Sequence, residues 1–178
     1  MKILVVVDMQ NDFVSGSLGT AEAQAIVPAV KTKIAEYQAN GDIIIYTRDT
    51  HFSNYLATPE GNKLPVEHCI RDTWGWEIVD GVYIDGCNVL NKVTFGSTDL
   101  VDYIEDYIAM NEQTNPVTEI ELIGLCTDIC VVSNALSVKM YFYDCCEISV
   151  DSACCAGVTP ESHEAALLTM KMCQINIK

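Results

Sequence analysis

At 178 residues, with 49% hydrophobic and 20% charged side chains, the chain has the make-up of a globular domain long enough to bury a substantial core. Its formal net charge of −15 disfavours nucleic acid and anionic membranes as partners and leaves a small neutral or cationic molecule as a compatible ligand. The first apolar run, Ile3–Val7, is too short for a signal-peptide core or a membrane span, so a cytoplasmic protein is expected.

In chain order, Ile3–Val7 reads as a buried strand that ends at Asp8. A helix is expected over Ala21–Asn40, with Ile26, Val30, Ile34 and Tyr37 on one face and Gly41 as its C-cap. A second strand, Ile43–Thr47, leads to Asp49. The stretch Thr50–Ile84 then breaks the pattern. It holds Pro59, Gly61, Pro65, Gly75 and Gly81, both tryptophans, and two of the three histidines. A connection of that length in a compact domain is often functional. A short strand at Val89–Leu90 precedes Lys92, and a helix follows over Ser97–Met110 with Asp99 and Asp102 in its first turn. The apolar run Ile120–Ile123, a tight turn at Gly124 and a helix over Asp128–Tyr143 come next, then a strand at Ile148–Asp151. Thr159, Pro160 and Glu161 read as N-cap, N1 proline and acidic first turn of a helix through Met172, and Cys173–Ile177 reads as the last strand. Strands alternating with helices predict an α/β fold, a three-layer αβα arrangement around a mostly parallel six-stranded sheet. There is no repeat or linker, so residues 1–178 read as one domain with an insertion at about 49–84.

Ligands of such sheets bind beyond the carboxyl ends of the strands. Asp8, Asp49, Lys92 and Cys130 all follow strand ends, which brings four polar residues from distant sequence to one rim. Cys130 falls in the first turn of a helix, where exposed N–H groups and the helix dipole favour a thiolate, the nucleophilic form of cysteine. The nine cysteines are odd in number and include the adjacent pairs Cys145-Cys146 and Cys154-Cys155, a poor disulfide framework. Most read as small buried hydrophobes in a reducing compartment. Cys126 and Cys130 lack a second Cys/His pair at zinc-finger spacing. Asp8 alone would cap the next segment; beside a nucleophilic cysteine it becomes a general base. Lys92 alone would be a surface lysine; buried beside Asp8 it would keep the carboxylate ionised. Asp49-Thr50-His51 with His68 suggests a metal site that Glu60 or Glu67 could complete, and solvated loop histidines are the competing reading. His163 reads as a surface residue of the last helix.

These segments together resemble the isochorismatase-like cysteine hydrolases, and among them the nicotinamidases. The resemblance spans nearly the whole chain. It rests on Val6-Val7-Asp8-Met9-Gln10-Asn11-Asp12-Phe13, on Thr47-Arg48-Asp49-Thr50-His51, on Leu64-Pro65-Val66-Glu67-His68-Cys69, on Lys92-Val93-Thr94-Phe95 and on Gly124-Leu125-Cys126-Thr127-Asp128-Ile129-Cys130. It implies an Asp8–Lys92–Cys130 triad, a cis peptide at Leu125–Cys126, and an oxyanion hole from the backbone N–H groups of Cys126 and Cys130. It also implies a divalent metal, zinc first and iron or manganese as alternatives, on Asp49, His51 and His68. The second histidine common after the Asp-x-His motif is absent, and Pro59-Glu60 matches a version that uses glutamate, so Glu60 is expected as the fourth ligand with Glu67 as its rival. Phe13 and Phe95 are the expected aromatic clamp and Leu125 a further substrate contact; Leu64 stands where the family often has an aromatic residue. The activity implied is hydrolysis of nicotinamide to nicotinate and ammonia through a cysteine thioester, in a homo-oligomer with a small-molecule amide as its partner. The alternatives are another carboxamide or ureido hydrolase of the same family, or a non-catalytic metal or thiol sensor.

Overall fold

The computed structural model describes residues 1–178. Its centre is a six-stranded, all-parallel sheet of β1 (Lys2–Val7), β2 (Ile43–Asp49), β3 (Asn88–Lys92), β4 (Glu119–Leu125), β5 (Glu147–Ala156) and β6 (Asn176–Ile177), in the order β3-β2-β1-β4-β5-β6. The helices are α1 (Asn11–Val14), α2 (Ala21–Asn40), α3 (Thr98–Asn111), α4 (Val132–Phe142) and α5 (Pro160–Met172). The chain runs outward from β1 through β2 to β3, then crosses back and runs outward the other way from β4. The junction of β1 and β4 is therefore the switch point where such sheets open a crevice.

The unbroken apolar run of β1 follows from burial on both faces. Side chains alternate across a strand, so Ile3, Val5 and Val7 enter one core with Leu100, Ile104, Val131, Val138 and Met170 of the α3–α5 layer. Leu4 and Val6 enter the other, with Ile26, Val30 and Ile34 of α2. Local capping sets the helix ends. Thr20, Ser97 and Thr159 side chains accept from the N–H groups of Ala23, Leu100 and Ser162, and Gly41 closes α2 at φ 72°. No helix is long and apolar enough to cross a membrane.

Three readings of the sequence need correction. Gly124 makes no turn; it lies inside β4, paired with Val7 and Cys155, at φ 117°. A Cβ there would sit 2.1 Å from the Val7 carbonyl oxygen, so glycine is required by the close approach of β1 and β4. The run Ile120–Ile123 is not wholly apolar in character. Glu121 is 1% exposed, accepts a hydrogen bond from the Tyr37 hydroxyl and lies 3.3 Å from Lys33 Nζ. The last strand is also shorter than expected, because Cys173 caps α5 and Gln174 turns at φ 64°, so pairing begins only at Asn176.

Candidate active site

Asp8 leaves β1 in a left-handed conformation, φ 47°, which aspartate tolerates better than most residues. Its N–H donates to the Thr47 carbonyl, and the Thr47 hydroxyl donates to Asp8 Oδ1 at 2.6 Å. Lys92, the last residue of β3, extends its ammonium past β2 to within 2.6 Å of Asp8 Oδ2. The same ammonium lies 3.4 Å from Cys130 Sγ and 3.7 Å from Asp49 Oδ1. Asp8 is 0%, Lys92 4% and Cys130 4% exposed, so all three are removed from solvent.

Cys130 sits in a turn of π-helical winding, Thr127–Val131, rather than in the first turn of an α-helix. The N–H groups of Ile129 and Val131 both donate to the Cys126 carbonyl, and the Leu125–Cys126 peptide is cis. Asn134 locks the turn from behind. Its amide donates to the carbonyls of Cys130 at 2.8 Å and Phe95 at 3.0 Å, and its oxygen accepts from the Ser97 N–H.

Burial decides the protonation chemistry. It pushes the Asp8 carboxyl above its ordinary value, against the pull of the Lys92 ammonium. Burial also pushes the Cys130 thiol well up, and the Asp8 charge adds to that. For Lys92 burial works the other way, but the negative groups around it leave its pKa raised. The expectation of a thiolate favoured by the helix start is thus reversed: desolvation and the Asp8 charge outweigh the pull of the Lys92 ammonium, and the thiol needs a base to lose its proton. Asp8 is the carboxylate beside it.

The insertion brings the second cluster to the same place. Asp49, His51, Glu60 and His68 offer ligand atoms that all lie within 4.8 Å of one another. His51 Nε2 is 3.0 Å from Asp49 Oδ2, and His68 Nε2 is 3.7 Å from it. The other His68 nitrogen, Nδ1, is 2.8 Å from the Val66 carbonyl, which leaves Nε2 to face the cluster. Despite its approach to Asp49, buried His51 Nε2 has no partner in hydrogen-bond geometry. Two imidazoles and two carboxylates turned into one buried space, with one nitrogen left over, fit a divalent cation. Glu67 is exposed and outside the cluster.

Four supporting residues went unassigned from the sequence: Thr47, Asn134, Gln10 and Asp12. Gln10 is fully buried; its amide donates to the carbonyls of Asp49 and Trp76, and its oxygen accepts from the Asp49 N–H at 2.7 Å. Asp12 accepts from the Cys69 N–H at 2.8 Å, next to His68. The signal available for Gln10 and Asp12 was a polar run placed directly after a buried strand. His163, expected at the surface, is half-buried, with Nδ1 2.8 Å from the Thr127 hydroxyl.

A cavity of about 390 Å³ joins the two clusters. Cys126 and Cys130 open onto it from one side and Asp49, Glu60 and His68 from another. Phe13, Phe95, Leu125, Leu64, Ile129 and Val158 supply apolar walls. Asp8, Lys92 and His51 stand behind this lining. The arrangement suits a small molecule with an apolar body and a polar group at the thiol.

Residues 2–177 match the family model described as Isochorismatase domain. The chain is 25% identical to the nicotinamidase of Schizosaccharomyces pombe, over 98% of this chain and 91% of that protein. The crystal structure of the pyrazinamidase of Pyrococcus horikoshii in complex with zinc is 28% identical and superposes with a TM-score of 0.84, covering 99% of this chain and 98% of that one. The N-carbamoylsarcosine amidase of Thermoplasma acidophilum is 25% identical with a TM-score of 0.77, covering 100% and 96%.

Proposed function

Because the chain belongs to the isochorismatase family, we propose that it is a cysteine amidohydrolase that converts nicotinamide to nicotinate and ammonia. The observation that carries the reading is the Lys92 ammonium held between the Asp8 carboxylate and the Cys130 thiol, at 2.6 and 3.4 Å, just behind the wall of a cavity that Cys130 lines together with Asp49, Glu60 and His68.

Asp8 takes the proton of the Cys130 thiol, and the sulfur attacks the carboxamide carbon. The developing oxyanion is held by the N–H groups of Cys126 and Cys130. Asp8 passes the proton to the departing ammonia, leaving a thioester on Cys130. Water then attacks the thioester with Asp8 again as base, and the acid departs. Lys92 holds Asp8 in place and favours its charged form between proton transfers. Phe13 and Phe95 flank the ring and Leu125 borders it, so the substrate is oriented before reaction. A divalent cation on Asp49, His51, Glu60 and His68, zinc before iron or manganese, would supply a binding point for the ring nitrogen.

A second reading is another carboxamide or ureido substrate for the same machinery. The likeness to the N-carbamoylsarcosine amidase supports it, as does Leu64 on the wall where an aromatic residue would stack a ring. Ammonia release from nicotinamide by metal-supplemented protein, with and without Cys130→Ala, tests both. Release that depends on Cys130 is expected. Turnover retained in Cys130→Ala would reject the covalent route. No release from the parent protein would reject nicotinamide and leave the ureido and other carboxamide substrates to be assayed.

A further inference from the structure

The turn that carries Cys130 is stitched to the β5–α5 connection and to the start of α5 through two consecutive residues, Asp128 and Thr127. The Asp128 carboxylate accepts from the Val158 N–H at 3.1 and 3.3 Å. The Thr127 hydroxyl meets His163 Nδ1 at 2.8 Å. Thr127 is 0% exposed, so its hydroxyl is removed from water, and His163 is the partner the structure provides for it. His163 is itself held in place. It lies within the first turns of α5, where its N–H donates to the Thr159 carbonyl. The backbone at Gly157 presses against it, since a Cβ there would lie 2.9 Å from both the His163 Cβ and N.

We infer that His163, acting through Thr127, is a positioning residue for the nucleophile. This rests on Cys130 being the nucleophile and adds a residue that the Asp8–Lys92–Cys130 set does not contain. The physical reason lies in the winding of the turn. The Cys126 carbonyl accepts from both Ile129 and Val131, so the Cys126–Val131 backbone behaves as one closed unit. A rotation of that unit moves the Cys130 sulfur and the Cys126 N–H together. Inside, Asn134 holds the unit at the Cys130 carbonyl. Outside, the Thr127–His163 bond holds its opposite edge together with the Asp128–Val158 contact, and it is the buried one of the two. Losing the outer bond leaves the sulfur in the cavity but lets its direction drift, which costs rate more than binding.

The test compares Thr127→Val, Thr127→Ser, His163→Phe, His163→Asn and the Thr127→Val/His163→Phe double variant in the full chain. Thr127→Val keeps the shape and removes the hydroxyl, and half-exposed His163 can then bond to water. His163→Asn keeps a hydrogen-bonding atom near the position of Nδ1. Two rates are read: alkylation of Cys130 by iodoacetamide, followed by mass spectrometry, and turnover of nicotinamide. Urea midpoints establish that each variant is folded. Thr127→Val and His163→Phe should each slow both alkylation and kcat by roughly three- to tenfold, the worth of one hydrogen bond, with KM within about twofold. Thr127→Ser and His163→Asn should recover most of the rate, and the double variant should lose no more than either single one. Parent-like alkylation in the single variants, multiplied losses in the double variant, or losses that simply follow the unfolded fraction would overturn the inference. Alkylation does not use the substrate, so absence of nicotinamide turnover in the parent protein would sink that substrate alone.

Discussion

Gly124→Ala is the sharpest test of how the strands create the site. The built Cβ would lie 2.1 Å from the Val7 carbonyl oxygen and 2.9 Å from the Val7 nitrogen, at a backbone φ of 117°. Two costs add. Holding alanine in a sparsely populated backbone region costs about 1–3 kcal/mol. Relieving a 2.1 Å contact means forcing β1 and β4 apart by about 1 Å, which costs at least about 1–3 kcal/mol, as in an overpacked core. A total of roughly 2–6 kcal/mol corresponds to a fall in Tm of about 5–20 °C for a chain of this size. Gly41→Ala is the internal control, because Gly41 also has positive φ, at 72°, but nothing lies within 4 Å of its Cβ position. It should cost about 1–2 kcal/mol, the backbone term alone. Urea and thermal unfolding of both variants measure the difference. Gly124 lies two residues before Cys126 and Val7 one before Asp8, so surviving Gly124→Ala protein should also lose turnover disproportionately. If the two variants are destabilised equally, the close approach of β1 and β4 is not what demands glycine, and the reasoning fails.

Lys92→Met should lower stability by about 3–5 kcal/mol at neutral pH, because it leaves the fully buried Asp8 without its counter-ion, and turnover should vanish; near-parental unfolding would contradict the ion pair. The Glu119 carboxyl, bonded by Lys178, Lys2 and Ser149, titrates at about 2 when folded rather than at its ordinary 4.5. A depressed folded pKa means its contribution is complete above about 4.5 and lost as the pH falls towards 2. Glu119→Gln should therefore flatten the loss of stability in that window, by about 1–2 kcal/mol after screening at a partly exposed site, and an unchanged acid profile would refute it. Zinc at 100 times its Kd should stabilise the folded chain by about 2.7 kcal/mol, seen as a thermal shift; His68→Ala should abolish the shift, and an undiminished one would place the metal elsewhere.

Much of this protein is written locally. The strands at Ile3–Val7 and Ile43–Thr47 declare themselves by unbroken apolar runs, because a parallel strand buried on both faces needs no polar side. The bounds of α2 and α5 are legible because Thr20, Gly41, Thr159 and Pro160 act within one turn of their own position. The rim was legible too, since every parallel strand points its carboxyl end the same way: Asp8, Asp49, Lys92 and Cys130 share one edge of the sheet, and the strand order then brings them together. Other features depend on partners far away in sequence. Gly124 reads as a turn until Val7 is placed beside it. Glu121 reads as part of an apolar run until Tyr37 and Lys33 surround it. Cys130 reads as an activated thiolate until its burial is known, and burial is a property of the whole packed layer rather than of its helix. Spacing alone leaves both Glu60 and Glu67 open as ligands, the family resemblance favours Glu60, and the path of the insertion turns Glu60 into the cluster and leaves Glu67 exposed. The chemistry of single residues and short spacings is local and survives in the sequence. Desolvation, close approach and the meeting of distant side chains arise only when the layers pack, and the tertiary structure alone decides them.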